Sequence, residues 1–196
     1  MLSYDKYDVE TPIWTTLDEA LGHGIIVSNL AFLLSKKLGM DEEFCHDMAV
    51  AGMVHDIGKL KIYAYLRKKY DQILAIDEAR YIRMHPSAGY AVLKEQGFND
   101  RILSAVLSHH ENYDGSGYPN NLKGADIPIE GRILHICDCF GGLISNCGNI
   151  EEFNPDIANQ VMIDEVKNFD MRVYLTLQDL VLGNGIESFF RDLGML

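Results

Sequence analysis

The chain has 196 residues, of which 47% are hydrophobic and 23% charged, as is usual for a globular protein with one core. Its 29 acidic residues outnumber its 17 lysines and arginines, and the resulting net charge of −12 argues against a nucleic-acid or anionic-membrane partner. No apolar run approaches the roughly 18 residues of a membrane span and no secretion signal is evident, so we expect a cytoplasmic protein with reduced cysteines.

Apolar residues spaced three and four apart predict helices along nearly the whole chain. The first predicted helix runs through TTLDEALGHGIIVSNLAFLLSKKLG and ends in lysines and a glycine, a typical C-terminal signal. Asp41 can cap a second helix, which we expect to reach about Ile57, just before Gly58. Another helix opens at Asp77 and stops near His85, because the proline that follows restricts the backbone of the residue before it.

The second half of the chain continues the helical pattern. The segments PSAGYAVLKEQG and NDRILSAVLSHHE are separated by Gly97 and a capping Asn99. Glycine, proline, asparagine and aspartate across residues 112–127 predict a loop. The apolar segment PIEGRILHICDCFGGLIS predicts a buried helix, Asn154 and Pro155 begin another, and the tail holds one or two more around a break at LGNG. No segment has a clear strand pattern, so the predicted fold class is all-α.

Histidine and aspartate pairs at the ends of these helices are the main candidates for a functional site. His55 and Asp56 follow the apolar run MAVAGMV, and His109 and His110 are adjacent at the end of another helix. A buried charged pair is costly unless it is paired or bound to metal, so the His–Asp pair is either a structural hydrogen bond or half of a metal site. Imidazole and carboxylate ligands together suit iron or manganese, with zinc or nickel as alternatives.

Two other histidines have a simpler interpretation as satisfied residues of the core. His46 lies nine residues before His55, which places it on roughly the opposite face of a helix. His135 receives the same interpretation, although it is three residues from Asp138 and could face the same way. Asp138 itself lies inside an apolar helix, where a carboxylate without a compensating partner is costly.

Four motifs together resemble those of the HD-GYP family, a branch of the helical HD-domain metallohydrolases. In the order and spacing of that family, they are HDIGK at 55–59, MHPSAGY at 84–90, HHENYDGSGYP at 109–119 and RILHICD at 132–138. The resemblance covers about residues 15–190, so we divide the chain into an N-terminal segment, 1–14, and an HD-GYP-like domain, 15–196. It implies an HD-domain-like helical bundle around a multinuclear metal site.

The resemblance implies a phosphodiesterase that hydrolyses cyclic di-GMP or a related cyclic dinucleotide by attack of a metal-activated hydroxide. Its metal ligands would be His23, His55, Asp56, His85, His109, His110 and Asp138. Seven protein ligands exceed the six positions of one octahedral ion, so at least two metals follow, with Asp56 as the natural bridge. We therefore expect two or three divalent ions, with iron preferred and manganese as the alternative.

Further roles are implied for a lysine and for the turn that gives the family its name. Lys59 would face the substrate phosphate and act in catalysis with Asp56, by steadying charge on phosphoryl oxygens or assisting the leaving oxygen. The alternative is a surface lysine at a helix C-terminus. Gly117, Tyr118 and Pro119 form a turn that the family links to the substrate site and to protein partners, and we assign it no chemical step.

Glu19 has two competing interpretations. It lies one helical turn before His23, and a subset of the family uses a glutamate there for a third metal. Thr16 and Glu19 also match a capping box at the start of the first helix.

The chain departs from the family in residues that bind the substrate, whereas its metal-ligand motifs are intact. Members with full substrate machinery carry Arg-Pro-Tyr-Arg-like residues after the last metal aspartate, whereas this chain has no lysine or arginine from Ile133 to Val166. Lys61, Arg80 and Arg83 are candidate substitutes, although an exposed helix position is the simpler interpretation of each. The alternatives to a phosphodiesterase are a nucleotide sensor or interaction module with weak catalysis, and an HD-type di-iron oxygenase, against which the DGSGYP loop argues.

Overall fold

A computed structural model describes residues 17–66, 80–145 and 154–183, together with positions 188 and 191. Within these residues the secondary structure is helical and contains no strand, so the predicted all-α class is confirmed. The α-helices are α1 Leu17–Lys37, α2 Glu42–Val54, α3 Ile57–Leu66, α4 His85–Glu95, α5 Asp100–Ser108, α6 Ile129–Ser145, α7 Pro155–Asp164 and α8 Met171–Gly183. Short 3-10 helices occur at Gly124–Asp126 and Val166–Asn168.

Local sequence signals account for several helix boundaries. The carboxylate of Asp41 accepts a hydrogen bond from the Phe44 N–H at 2.7 Å, and the Asn99 side chain accepts one from the Ile102 N–H at 3.0 Å. Both are side-chain N-caps that satisfy a helical N–H with no partner inside the helix. Gly97 follows α4 with φ at +78°, a backbone conformation that favours glycine. These predicted caps are confirmed.

The second helix is shorter than predicted. It ends at Val54 rather than near Ile57, and a new helix starts at Ile57 after a turn at residues 55–56. The reason is a tertiary contact: Gly58 lies against the first turn of α4. A Cβ added to Gly58 would collide with the His85 carbonyl oxygen and lie 2.6 Å from the Gly89 amide nitrogen. The chain turns at residues 55–56 to bring this bare glycine backbone against α4.

The interpretation of His46 as a core residue is wrong. Its side chain is 66% exposed on α2, with its Nε2 atom 3.8 Å from a Glu42 carboxylate oxygen one helical turn earlier. A separation of nine residues from His55 does place His46 on the opposite face of the helix. That face is exposed to solvent and does not pack against a second layer of core. The predicted helix start at Asp77 lies outside the described residues.

Helix α6 forms the centre of the bundle, where it contacts α1, α2, α5, α7 and α8. Its buried residues pack with those of α1 and α8, among them Val27, Leu30, Leu134, Ile136 and Leu177. Helix α4 packs between α3 and α5. The packing thus brings the middle of α1, the α2–α3 turn, the start of α4 and the end of α5 together around α6. None of the helices in the described ranges combines the length and apolar character needed to span a membrane.

The loop at residues 112–127 is held by specific hydrogen bonds. The buried carboxylate of Glu111 accepts backbone N–H bonds from Asn120 at 2.6 Å and Leu122 at 2.9 Å. The Tyr113 N–H donates to the Asn168 carbonyl at 2.8 Å, which ties the loop to the segment between α7 and α8. The loop therefore has a fixed path past the end of α5.

Candidate metal centre

Three histidines of the centre are fixed by the helix ends that carry them. The Nδ1–H groups of His55, His85 and His109 donate to the carbonyl oxygens of Gly52, Ile82 and Val106, at 2.8, 2.8 and 2.7 Å. Each acceptor lies three residues earlier, where the last carbonyls of a helical turn have no partner inside the helix. This bond fixes the tautomer and leaves Nε2 free to bind a metal.

The first group of potential ligands joins α1, the α2–α3 turn and α6. The Nε2 atom of His23 lies 2.9 Å from Asp138 Oδ1, and the Nε2 atom of His55 lies 3.3 Å from the same oxygen. One potential ligand atom from each of the three side chains lies within 4.8 Å of the others. Asp138 is thus compensated by two imidazoles, as an aspartate inside an apolar helix requires.

The second group consists of His85, His109 and His110, which are all buried. The Nε2 atoms of His85 and His109 are 3.1 Å apart, and the ring centroids of His85 and His110 are 4.8 Å apart. A potential ligand atom from each again lies within 4.8 Å of the others. Three potential ligand nitrogens this close together in the interior make this group a candidate to hold a cation.

Asp56 connects the two groups. Its Oδ2 atom lies 3.4 Å from His55 Nε2, and its Oδ1 atom lies 3.4 Å from His85 Nε2. His55, Asp56 and His109 form a third set of atoms within 4.8 Å, which overlaps the other two. The two oxygens of one carboxylate therefore face histidines on two sides, the arrangement that a bridging ligand needs.

The donor atoms fit a divalent metal ion. His55 Nε2, Asp56 Oδ1 and His110 Nε2 are buried and make no hydrogen bond in the structure. Buried polar atoms are normally satisfied, and unsatisfied ones that converge on one place indicate a missing partner. Imidazole nitrogens and carboxylate oxygens are ligands for iron, manganese, zinc or nickel.

Electrostatics keep most of the imidazoles neutral. Burial lowers the pKa of His85 to about 4 and holds the pKa values of His109 and His110 well below the usual range, with the neighbouring imidazoles adding to the effect. Burial alone would lower the pKa of His55, but the Asp56 and Asp138 carboxylates together raise it to about 10. Neutral imidazole is the form that binds metal, so the second group is ready for an ion near neutral pH.

Lys59 contacts the centre directly. Its Nζ atom lies 2.8 Å from Asp56 Oδ2, in the first turn of α3. His55 and Lys59 do not lie on one continuous helix, because α2 and α3 are separate helices. The position of Lys59 near Asp56 therefore depends on the turn at residues 55–56. The lysine is only partly exposed, which disagrees with the alternative of a surface lysine.

The turn at residues 117–119 packs on the second group. The Tyr118 ring stacks on the His110 ring with centroids 4.8 Å apart, and the Tyr118 N–H donates to the His110 carbonyl at 3.0 Å. A Cβ added to Gly117 would collide with that carbonyl and with the Asn112 amide, so only glycine fits there. The peptide bond between Tyr118 and Pro119 is cis. The turn thus borders the candidate centre.

Glu19 and His135, which were also considered from sequence, are not members of these groups of potential ligands. Glu19 is exposed in the first turn of α1, and the groups of potential ligands found among the described residues do not include it. His135 is buried, and its Nδ1–H donates to the His109 carbonyl at 2.7 Å, which agrees with a structural role.

Sequence reasoning missed two residues that support the ligands. Ser145 Oγ lies 3.3 Å from His23 Nδ1, and its own O–H donates to the Gly141 carbonyl at 2.8 Å. Seven residues separate Ser145 from Asp138, which puts both on the same face of α6, so helical periodicity could have found it. Glu111, which anchors the loop, could have been found as a carboxylate directly after the histidine pair.

Comparison with known proteins identifies a family to which this chain is similar. The model of the family described as HD domain matches residues 10–173. A relative from Xanthomonas campestris, the cyclic di-GMP phosphodiesterase response regulator RpfG, is 37% identical over 136 residues, covering 67% of this chain and 35% of that protein. A cyclic di-GMP phosphodiesterase from Thermotoga maritima is 35% identical over 114 residues, covering 57% and 31%. The chain spans about a third of the length of these curated relatives.

Solved structures support the fold. Bd1817 from Bdellovibrio bacteriovorus, described as an HDG"Y"P protein, matches with a TM-score of 0.65 at 19% identity, over 86% of this chain and 54% of that one. A cyclic GMP-AMP specific phosphodiesterase from Vibrio cholerae matches with a TM-score of 0.66 at 17% identity, over 96% and 52%. At these identities the likeness is one of fold.

Proposed function

Because the chain belongs to the HD-domain family and carries the motifs of its HD-GYP branch, we propose that it is a metal-dependent phosphodiesterase acting on a cyclic dinucleotide. Cyclic di-GMP is the first substrate to test, since the relatives from Xanthomonas campestris and Thermotoga maritima carry that activity in their names. Relatives from Vibrio cholerae are named for 3'3'-cGAMP, which makes mixed cyclic dinucleotides the next substrates.

One observation carries the proposal: the two oxygens of Asp56 face histidines of two different ligand groups. The proposed ligands of one ion are His23, His55, Asp56 and Asp138, and those of a second are Asp56, His85, His109 and His110. We propose iron, or manganese as the alternative. Glu19, one turn before His23, is the proposed ligand of a third ion, and Glu19→Gln should then lower the metal content by about one ion without unfolding the protein. Full metal content in that variant would leave Glu19 as a helix cap.

The chemistry divides between the metals and the protein. Bound divalent ions would polarise a phosphoryl oxygen and lower the pKa of a bound water. In the hydrolysis, a bond forms between a water oxygen and phosphorus while the bond from phosphorus to one sugar oxygen breaks, and a proton lost by the water ends on that sugar oxygen. In this proposal Lys59, whose Nζ lies 2.8 Å from Asp56 Oδ2, donates a hydrogen bond to a phosphate at the centre. Asp56 in turn holds the lysine and both ligand groups in one arrangement.

Lys59→Met tests the proposed division between metal binding and catalysis. An ammonium group is not a metal ligand, so we expect the variant to retain its metals and to hydrolyse cyclic di-GMP on the order of 10²-fold more slowly. Elemental analysis measures the first property and product formation the second, with protein loaded with iron or manganese. Lys94→Met is the matched control, since Lys94 is exposed in the last turn of α4 and should leave both properties unchanged.

The outcomes separate the proposed function from its alternatives. Cleavage of neither cyclic nor linear dinucleotides by fully loaded wild-type protein, together with retained binding, would favour a sensor. An unchanged rate in Lys59→Met would remove the lysine from the mechanism and leave the phosphodiesterase activity standing. One metal or fewer per chain after growth with abundant iron and manganese would contradict the two-ion centre.

A further inference from the structure

A cyclic dinucleotide presents two phosphates, and the metal centre can engage the one being cleaved. The other phosphate needs a positive partner on a chain whose net charge is −12. The sequence from Ile133 to Val166 offers no lysine or arginine for this purpose. Lys59 is held at the metal centre by Asp56, so it serves the same phosphate as the metals. A second cation beside the centre would complete the site.

Arg83 is such a cation. Its guanidinium carbon lies 5.4 Å from the centroid of the Tyr118 ring, a cation–π distance, and that ring stacks on His110 at 4.8 Å. Arg83 also lies in the turn directly before α4, two residues before His85. Arg83 is therefore close to His85 along the chain, and it is connected to His110 through the Tyr118 ring.

The ring that contacts Arg83 has a fixed position. Tyr118 is hydrogen-bonded through its backbone to His110, and the loop that follows is anchored by two N–H bonds to the buried carboxylate of Glu111. Arg83 is exposed to solvent, so a ligand can approach its side chain. Arginine stacked on an aromatic face keeps N–H donors at its edge, and these match the oxygens of a phosphate.

We propose that Arg83 binds the phosphate of the cyclic dinucleotide that is not being cleaved, with Tyr118 holding the guanidinium in place. This inference rests on the proposed function and names the second phosphate site of the same centre. Arg83, in the turn before α4, would supply the positive charge that the segment after Asp138 lacks. Arg83 is on this account a substrate-binding residue and not a metal ligand.

The test compares substrates with two phosphates and with one. Arg83→Ala should raise the KM for the cyclic dinucleotide about tenfold, the loss of one charge-assisted hydrogen bond, and leave kcat within about twofold. For bis(p-nitrophenyl) phosphate, a diester with a single phosphate, both constants should stay unchanged. Arg83→Lys should fall between wild type and Arg83→Ala, since it keeps the charge and loses the planar fork.

Lys94→Ala provides a matched control at the opposite end of the same helix. Lys94 Nζ lies 5.3 Å from the centroid of the Tyr90 ring, so this variant also removes one positive charge from above a tyrosine. Nine residues of helix separate it from His85, which is roughly 13 Å along the axis. It should leave all constants unchanged, and an equal effect of Lys94→Ala would assign the result to general charge and overturn the proposal.

Equilibrium binding keeps this test separate from that of the proposed function. If wild-type protein binds the cyclic dinucleotide without cleaving it, the phosphodiesterase proposal fails, and weaker binding by Arg83→Ala still supports the second phosphate site. Equal binding by wild type and Arg83→Ala would overturn the site. An equal loss with the single-phosphate diester would place Arg83 at the cleaved phosphate, which also contradicts the inference. Absence of dinucleotide binding by wild type would overturn both.

Discussion

At the scale of the residue, the hydrogen bond at one ring nitrogen of a histidine determines which nitrogen remains available to bind a metal. His55, His85 and His109 use backbone carbonyls to hold Nδ1, whereas His23 has a side-chain partner, Ser145. The Ser145 O–H donates to the Gly141 carbonyl, which leaves its oxygen to accept from the His23 Nδ1–H. Ser145 therefore sets the tautomer in which His23 Nε2 faces Asp138.

Ser145→Ala should weaken metal binding at the first ligand group. Loss of a group that orients a ligand histidine typically lowers metal affinity 10- to 100-fold. We expect about tenfold here, because the hydrogen bond between Ser145 Oγ and His23 Nδ1 is long, at 3.3 Å, and therefore weak. Titration against a competing chelator measures the affinity. Thr176→Ala is the matched control, since the Thr176 hydroxyl makes the same bond to a carbonyl four residues earlier on α8. Unchanged affinity in Ser145→Ala would show that the tautomer is set without the serine.

At the scale of the element, the contact between α3 and α4 positions two ligand segments at once. Gly58 in the first turn of α3 lies against the first turn of α4, close to Asp56 on one side and His85 on the other. The clash predicted for an added Cβ is with backbone atoms, which cannot move aside as a flexible side chain can. The spacing of the two helices therefore depends on this glycine.

Gly58→Ala should separate α3 from α4 and weaken the centre as well as the fold. We expect the free energy of unfolding to fall by roughly 1–3 kcal/mol, as for other overpacked sites, and metal affinity to fall with it. Denaturant unfolding and chelator titration measure the two effects. Gly142→Ala, in α6, is the control, because an added Cβ there meets nothing within 4 Å. A Gly58→Ala variant as stable as wild type would contradict the observed close packing.

The helix boundaries also show which features of the fold follow from local sequence. The caps at Asp41 and Asn99 were predictable because each is a side chain bonded to a backbone group three residues away. The end of α2 at Val54 was not, because it depends on a contact between Gly58 and a helix 27 residues later in the chain. The ligand set could be listed from the motifs, but the path from Arg83 to the centre passes through Tyr118 and required the tertiary structure.

At the scale of the whole molecule, the candidate centre joins segments that are far apart in sequence. Its histidines and aspartates extend from His23 in α1 to Asp138 in α6, and the packing of the bundle brings His23 Nε2 to 2.9 Å from Asp138 Oδ1. A ligand that binds only this folded arrangement stabilises it by mass action. Bound metals should therefore act as cross-links between helices.

Removal of metal should lower the melting temperature of the protein. At a free metal concentration 100 times the dissociation constant, binding contributes about 2.7 kcal/mol, which corresponds to roughly 5–10 °C for a chain of this size. Thermal unfolding followed by circular dichroism, with and without a chelator, measures the shift. Asp56→Asn lacks the carboxylate proposed to bridge the two ions, so its melting temperature should respond much less to metal. Identical unfolding of the wild-type protein in both conditions would rule out a stabilising centre.

The contrast between carbonyl and hydroxyl partners of the histidines has an evolutionary consequence. The backbone carbonyls of Ile82 and Val106 that orient His85 and His109 remain after a substitution of either side chain, because every residue carries a carbonyl. The carbonyl that orients His55 belongs to Gly52, where an added Cβ would lie 2.7 Å from the Ser28 Cα in α1. The partner of His23 exists only while a hydroxyl occupies position 145. Under mutational drift the ligand group around His23 is thus the more easily lost, and a descendant that has lost it would still retain the group of His85, His109 and His110.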